Sequence, residues 1–206
     1  MEDFRNRVQD DVKERGCGDQ NQDILLDHNI QRFLTARNGD VAHAQEYFRQ
    51  VLDWRQSVNF TSTICTKCAR NPTAHRMQVV ALDKFQRPVI YTCFQKARDR
   101  WNVAESQEHL IQLLRETEQF LDATYAETQQ TKWVVVIDFY GFGLWDNNPN
   151  MGLQALQLFT NFPERMGLVL LLDAPYLFLG LWKILTTFAL KHHEHPSLLC
   201  TDRYAF

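Results

Sequence analysis

Neither sign of charge is in excess in this sequence: 22 lysines and arginines stand against 25 aspartates and glutamates, a net charge of -3 at pH 7. There is no basic stripe interleaved with aromatics, so nucleic acid is excluded as the expected partner. The opening residues, MEDFRNRVQDDVKERG, are charged throughout and lack the apolar core of a signal peptide. A cytoplasmic location is the expectation. Cysteine is scarce and odd in number: Cys17, Cys65, Cys68, Cys93 and Cys200 show no scaffold spacing, which predicts free thiols. Cys65-Thr66-Lys67-Cys68 with His75 offers three zinc donors where a closed site needs four, and a second CxxC is missing, so no metal is expected. His192, His193 and His195 read as part of a solvated tail.

Catalytic signatures are missing too. The chain has no nucleophile elbow, phosphate loop or Ser/His/Asp arrangement. Gly141-Phe142-Gly143 lacks the third glycine and helix start of a nucleotide loop, with Trp145, Asp146 and Asn147 in their place. Asp138, at a strand end, is the best catalytic candidate, and a capping carboxylate is the commoner role. The expectation is a protein that is not an enzyme and carries no cofactor.

What is present is apolar surface. The 206 residues are 45% hydrophobic, enough for a real core. The richest stretch runs from Phe162 to Leu190. Within it, Gly167 to Leu172 has no polar alternation, which predicts a strand buried on both faces. Asp173-Ala174-Pro175 stops it, and a helix is expected from Tyr176 to Leu190 with Lys183 its one charge. Tyr176, Phe178, Leu179, Leu181, Trp182, Leu185 and Phe188 surround that axis, as on a helix packed against a bound apolar ligand. A membrane span over 166–190 is disfavoured: Asp173 would cost about 2.5 to 3.5 kcal/mol within it, and Pro175 would break it.

The remaining pattern predicts an α/β protein. Phe4, Val8 and Val12 mark a first helix ended near Gly16 and Gly18; Ile24 to Arg37 a second, stopped by Asn38-Gly39; and Val41 to about residue 57 a third, capped by Asp40. Residues 1–57 are therefore read as a helical lobe. After a polar connection, Gln78 to Leu82 and Val89 to Cys93 are strands joined by a turn. A helix from Ser106, its expected cap, to Tyr125 carries Leu110, Leu113, Leu114, Thr117, Phe120 and Leu121 on one stripe. Lys132 to Asp138 is another apolar strand, so the sheet is expected to be mostly parallel. A helix over 151–161 precedes the Phe162 stretch.

These residues carry a resemblance. Phe33-Leu34-Thr35-Ala36-Arg37, Asn38-Gly39-Asp40-Val41 and Trp54-Arg55, in that order, resemble the helical lobe of the CRAL-TRIO lipid-binding family. Arg87-Pro88-Val89 is similar to its GRPV, with Gln86 in place of the glycine, and VVVIDFYGF to its strand before a glycine turn. Phe162-Pro163-Glu164-Arg165-Met166-Gly167 followed by Asp173-Ala174-Pro175 resembles its YPERxG and NAP elements. The match spans about residues 24 to 190. It implies a mostly parallel sheet flooring a pocket, closed by an apolar gate helix at Tyr176 to Leu190. It also implies a protein that binds one phospholipid or other hydrophobic molecule, exchanges it between membranes through transient peripheral contact, and works as a monomer. In the phosphatidylinositol-binding members an Arg-Lys pair, the Glu of YPER and a later Lys hold the headgroup; of these, Arg37 and Glu164 are present, and Asn38 replaces the first Lys. The reading divides the chain into the 1–57 lobe, a lipid-binding module over 58–190 and a 191–206 tail outside the family pattern. It expects that tail to omit a sheet strand, as in a shortened isoform with impaired transfer. A lipid-sensing or interaction protein without transfer is the alternative.

Overall fold

The structure is a computed structural model, and it describes residues 1–93, 102–143, 149–175 and 197–201. Helix α1 (Glu2–Glu14) buries Phe4, Val8 and Val12, the row that their four-residue spacing predicts. They pack in one cluster with Ile30 and Phe33 of α2 (Asp27–Thr35) and Phe48 and Leu52 of α3 (Val41–Ser57). Helix α2 starts three residues later than expected. Asp23–Leu25 is a separate 3-10 turn, and Leu26 after it is extended at ψ 141°, which interrupts the helix before it begins. Asn38 and Gly39 take left-handed φ of 53° and 82°. The Asp40 carboxylate then accepts the His43 N–H at 3.0 Å, satisfying one of the open amides at the start of α3.

Past a short helix α4 (Thr66–Arg70) the chain builds a five-stranded sheet in the order β1-β2-β3-β4-β5. The strands are Met77–Leu82, Pro88–Cys93, Trp133–Asp138, Met166–Leu172 and Ser197–Thr201. The first two form an antiparallel pair, and the other neighbours are parallel. The β1–β2 turn shows why glycine is usual at the position of Gln86 in the family pattern: the residue has φ 63°, a conformation that glycine adopts without steric cost.

Helix α5 (Val103–Thr128) connects β2 to β3, and α6 (Pro149–Phe159) connects β3 to β4. The cap of α5 is Asn102, not Ser106: its side-chain oxygen accepts the Glu105 N–H at 3.3 Å, and asparagine competes well for that role. Phe120, expected on the apolar stripe, is 40% exposed. The buried arc is centred on Leu114 and Leu121 and extends toward Glu118, which turns Phe120 to the opposite flank.

Two expectations about the sheet are corrected. Strand β4 is not equally buried on both faces: Val169 and Leu171 are buried, whereas Leu168, Leu170 and Leu172 are half-buried. And the edge beyond β4 is not open. Residues 197–201 of the tail pair with it, from Leu168 against Ser197 to Leu172 against Thr201. Ladder pairing needs backbone amides and carbonyls in extended conformation, so a segment unlike the family's own can supply the strand. Among the described residues no helix is long and apolar enough to cross a membrane.

Candidate lipid-binding site

The sheet has two unequal faces. The register puts Ile90, Val135 and Val169 in one row and Thr92, Ile137 and Leu171 in the next, all on one side. This side meets α5 and α6: Ile90 and Val135 share a cluster with Leu110, Leu114 and Leu158, and Val169 and Leu171 pack near Leu156. The other side presents Val89, Val134 and Leu168 in one row, Tyr91, Val136 and Leu170 in the next, and Cys93, Asp138 and Leu172 in the last. None of the described helices packs there. This face is an apolar floor, and the chain runs from its strand β4 straight into the segment that begins at Tyr176.

Asp138 is the one acid among the described residues of that floor. It is buried; one carboxylate oxygen accepts the Tyr91 hydroxyl at 2.5 Å and the other accepts the Tyr140 N–H at 2.9 Å. Burial, and after it the Asp138 carboxylate, raise the Tyr91 hydroxyl well above its ordinary value, so tyrosine keeps the proton and donates it. A carboxylate engaged in this way terminates a strand and orients a tyrosine.

At the other end of the strands lies the Phe162–Gly167 turn, and its construction explains the motif. Phe162 sits edge-on to Trp54 and to Trp133, both at 5.6 Å. The Pro163 carbonyl accepts Arg32 Nη1 at 2.8 Å. Glu164 is left-handed, φ 56°. Arg165 is fully buried and donates to Glu118 at 3.0 Å, Asp122 at 2.9 Å, Asn29 at 3.0 Å and the Thr131 carbonyl at 3.0 Å. Gly167 is closely packed: a Cβ would come within 3.1 Å of Lys132 Cβ and 3.3 Å of the Trp133 carbonyl oxygen, so its neighbours would have to yield by a few tenths of an ångström.

Two cations, Arg32 and Arg165, share Glu118. Burial alone would raise that carboxyl, but Arg165 and then Arg32 outweigh it and hold it below its ordinary value. Asp122 is lowered in the same way, burial opposing and Arg165 and His28 prevailing. Burial, then the charge of Arg165, push Arg32 down to about 9, which leaves it a cation at neutral pH. The network ties the lobe to the sheet. Sequence reading missed it, although Arg32 between Ile30 and Phe33, and Glu118 four residues after Leu114, are charges standing at core positions of their helices.

Of the two expected headgroup residues, Arg37 lies over the Tyr47 ring at 4.0 Å. The Tyr47 hydroxyl donates to the Thr160 carbonyl. Burial raises its pKa; the Arg37 and Arg32 cations oppose that, and the Glu164 carboxylate adds to it. Arg37 and Glu164 are therefore both within electrostatic reach of one tyrosine. A crevice lined by Arg32, Trp54, Arg55 and Phe162, and by neither Arg37 nor Glu164, is a cavity of about 10 Å³, room for about one water and far too small for a lipid. The expected gate residues Tyr176, Phe178, Leu179, Leu181, Trp182, Leu185 and Phe188 lie outside the described residues.

The model of the CRAL/TRIO domain family matches residues 78–193, more than half of the chain. This chain belongs to the CRAL/TRIO family. A CRAL-TRIO domain-containing protein of Caenorhabditis elegans is 28% identical over 177 residues, covering 79% of this chain and 24% of that protein. The chain thus spans about a quarter of that relative's length. The crystal structure of Sfh5 superposes with a TM-score of 0.75 at 13% identity, covering 97% of this chain and 77% of that one, and shares the fold. CRAL/TRIO proteins are lipid-binding proteins, and the module here is lipid-binding at that family level.

Proposed function

We propose that this CRAL/TRIO protein holds one lipid on the Val134–Leu170 face of its sheet, beneath a gate at Tyr176 to Leu190, and exchanges it between membranes. The observation that supports this reading is the make-up of that face: it is largely apolar, its β4 residues Leu168, Leu170 and Leu172 are half-buried while Val134 and Val136 are buried, no described helix packs on it, and an apolar segment follows directly from β4. A sixteen-carbon chain buried there gains on the order of 10 kcal/mol at about 0.8 kcal/mol per methylene. Leaving a bilayer costs nearly the same, so exchange is the activity such a pocket supports. For the headgroup we favour phosphatidylinositol, with Arg37 as forked donor to phosphate and Glu164 as acceptor from inositol hydroxyls; their convergence on Tyr47 supports the pairing.

Native mass spectrometry of the purified chain, followed by denaturing analysis of what it releases, tests the pocket. One lipid per monomer is expected. Transfer of labelled phosphatidylinositol between vesicles then tests the activity, with binding but no transfer favouring a lipid sensor. A folded chain that neither carries lipid nor takes it up from vesicles overturns the reading.

A further inference from the structure

Away from the lipid floor, the loop that joins the lobe to the sheet gathers thiols and imidazoles. Cys65 precedes α4 and Cys68 lies within it, and Cys65 Sγ accepts the Cys68 N–H at 3.4 Å, the turn that a CxxC spacing makes. The two sulfurs and a ring nitrogen of His75 all lie within 4.8 Å of one another. The fourth donor that the sequence reading found lacking comes from α5: His109 Nδ1 is 3.3 Å from Cys68 Sγ. Its other nitrogen, Nε2, is 2.8 Å from the Met77 carbonyl oxygen. A carbonyl can only accept, so Nε2 carries the proton and Nδ1 presents its lone pair toward the cysteines. That backbone hydrogen bond fixes the tautomer and the ring, as is usual for a histidine bound to metal. The His75 and His109 rings stack with centroids 4.8 Å apart and planes 21° from parallel.

We propose that Cys65, Cys68, His75 and His109 form a four-coordinate structural site for a zinc-class divalent cation. Metal bonds of about 2.0 to 2.3 Å put neighbouring donor atoms about 3.3 to 3.8 Å apart on a tetrahedron. The Cys68–His109 distance already has that value, and the Cys65, Cys68 and His75 donors, within 4.8 Å of one another, need to close by about 1 Å. Two thiolates balance a divalent charge, so the centre is neutral, which suits the burial of Cys65 and His75. Two sulfurs with two imidazoles match zinc, whereas iron–sulfur clusters use sulfur throughout in the ordinary case. Four protein donors leave no open position, which makes the site structural.

The local fold supplies a reason for it. Helix α4 has five residues and no buried side chain, too few to nucleate or hold a helix alone. Polar contacts help, notably Cys65 N–H to Gln112 at 2.8 Å and Lys67 to Glu105 at 3.1 Å. A cation shared between α4, the 71–76 turn and α5 would clamp the connection to the long helix and, through Met77, set the start of β1.

The test uses the reduced chain without oxygen, titrated with cobalt(II). One equivalent should bind with the visible d–d bands of tetrahedral cobalt and near-ultraviolet thiolate charge transfer, and zinc should abolish the spectrum by displacement. Cys68→Ser should remove part of the charge transfer, and His109→Asn should weaken binding by about 100-fold or more, whereas Cys17→Ser and Cys93→Ser should change neither. A wild-type chain that gives no stoichiometric tetrahedral spectrum overturns the proposal, independently of whether any variant folds. So does a spectrum that survives His109→Asn unchanged. Lipid uptake from vesicles is a separate readout, and its failure would leave this site standing.

Discussion

The two faces of the sheet are built from the same kinds of residue and treated differently. Ile90, Val135, Val169 and Leu171 are at most 3% exposed under α5 and α6. Leu168, Leu170 and Leu172, alternating with them along the same strand, are half-buried, so the contrast holds along β4; on β3, Val134 and Val136 of that second face are buried too, and Ile137 of the first is half-buried. Composition cannot separate the two sets, since β4 is aliphatic throughout. What separates them is which helices return to which side. The face under α5 and α6 uses apolar area for stability; in the function proposed above, the other is left for a ligand.

The same division runs through two adjacent residues of the Phe162–Gly167 turn. Arg165 points inward to four partners, and Glu164 takes a left-handed backbone that sends its side chain elsewhere. The largest effect expected in this protein is therefore that of Arg165→Met. Removing one cation leaves Glu118 and Asp122 with a buried charge less well compensated, a loss of about 3 to 5 kcal/mol. Urea denaturation measures it, and a loss below about 1 kcal/mol would mean that the network contributes little to joining lobe and sheet.

Next in size is the contrast between the faces themselves. Leu171→Ala should cost about 3 kcal/mol and leave lipid uptake per folded molecule unchanged; Leu170→Ala should cost about 1 kcal/mol and reduce uptake. Equal losses of stability with equal uptake would erase the distinction.

Acid should weaken the lobe–sheet junction before it affects the floor. Glu118 and Asp122 both have folded values held below their ordinary 4.5 and 3.8. Their contribution is complete above those ordinary values and is lost as pH falls through the lower folded ones. The melting temperature should accordingly fall below about pH 4.5, and Glu118→Gln should flatten that fall. A profile equally steep in Glu118→Gln would assign the acid sensitivity to other carboxylates.

How much of this was legible from the chain differs between the two sides. The covered core follows from periodicity: Phe4, Val8 and Val12 on α1, or Leu110, Leu114 and Leu121 on α5, are placed by spacing alone. The motif order around Arg87-Pro88 and Phe162–Gly167 led to the family. Strand β5 was not legible, because pairing at a sheet edge depends on backbone and Ser197–Thr201 has no signature of its own. Nor was the role of Arg165, whose partners are Asn29, Glu118, Asp122 and Thr131, scattered along the sequence and gathered only by the fold. His109 escaped notice for a similar reason: it lies on a helix far from the CxxC pair, where no ligand spacing applies.

The smallest effect tests the ligand half of the Glu164–Arg165 pair. A glutamate at φ 56° carries a steric cost that glycine does not, so Glu164→Gly should stabilise the protein, or leave it level, by no more than about 0.5 to 1 kcal/mol. Glu164→Gln keeps that backbone cost and should leave stability unchanged. If the carboxylate is kept for a headgroup, both variants should lose phosphatidylinositol transfer while the stabilities separate them. If it is kept for the turn, Glu164→Gly should lower stability and Glu164→Gln should transfer normally. The two outcomes thus separate a headgroup from the turn as the reason for an acid in a conformation that favours glycine.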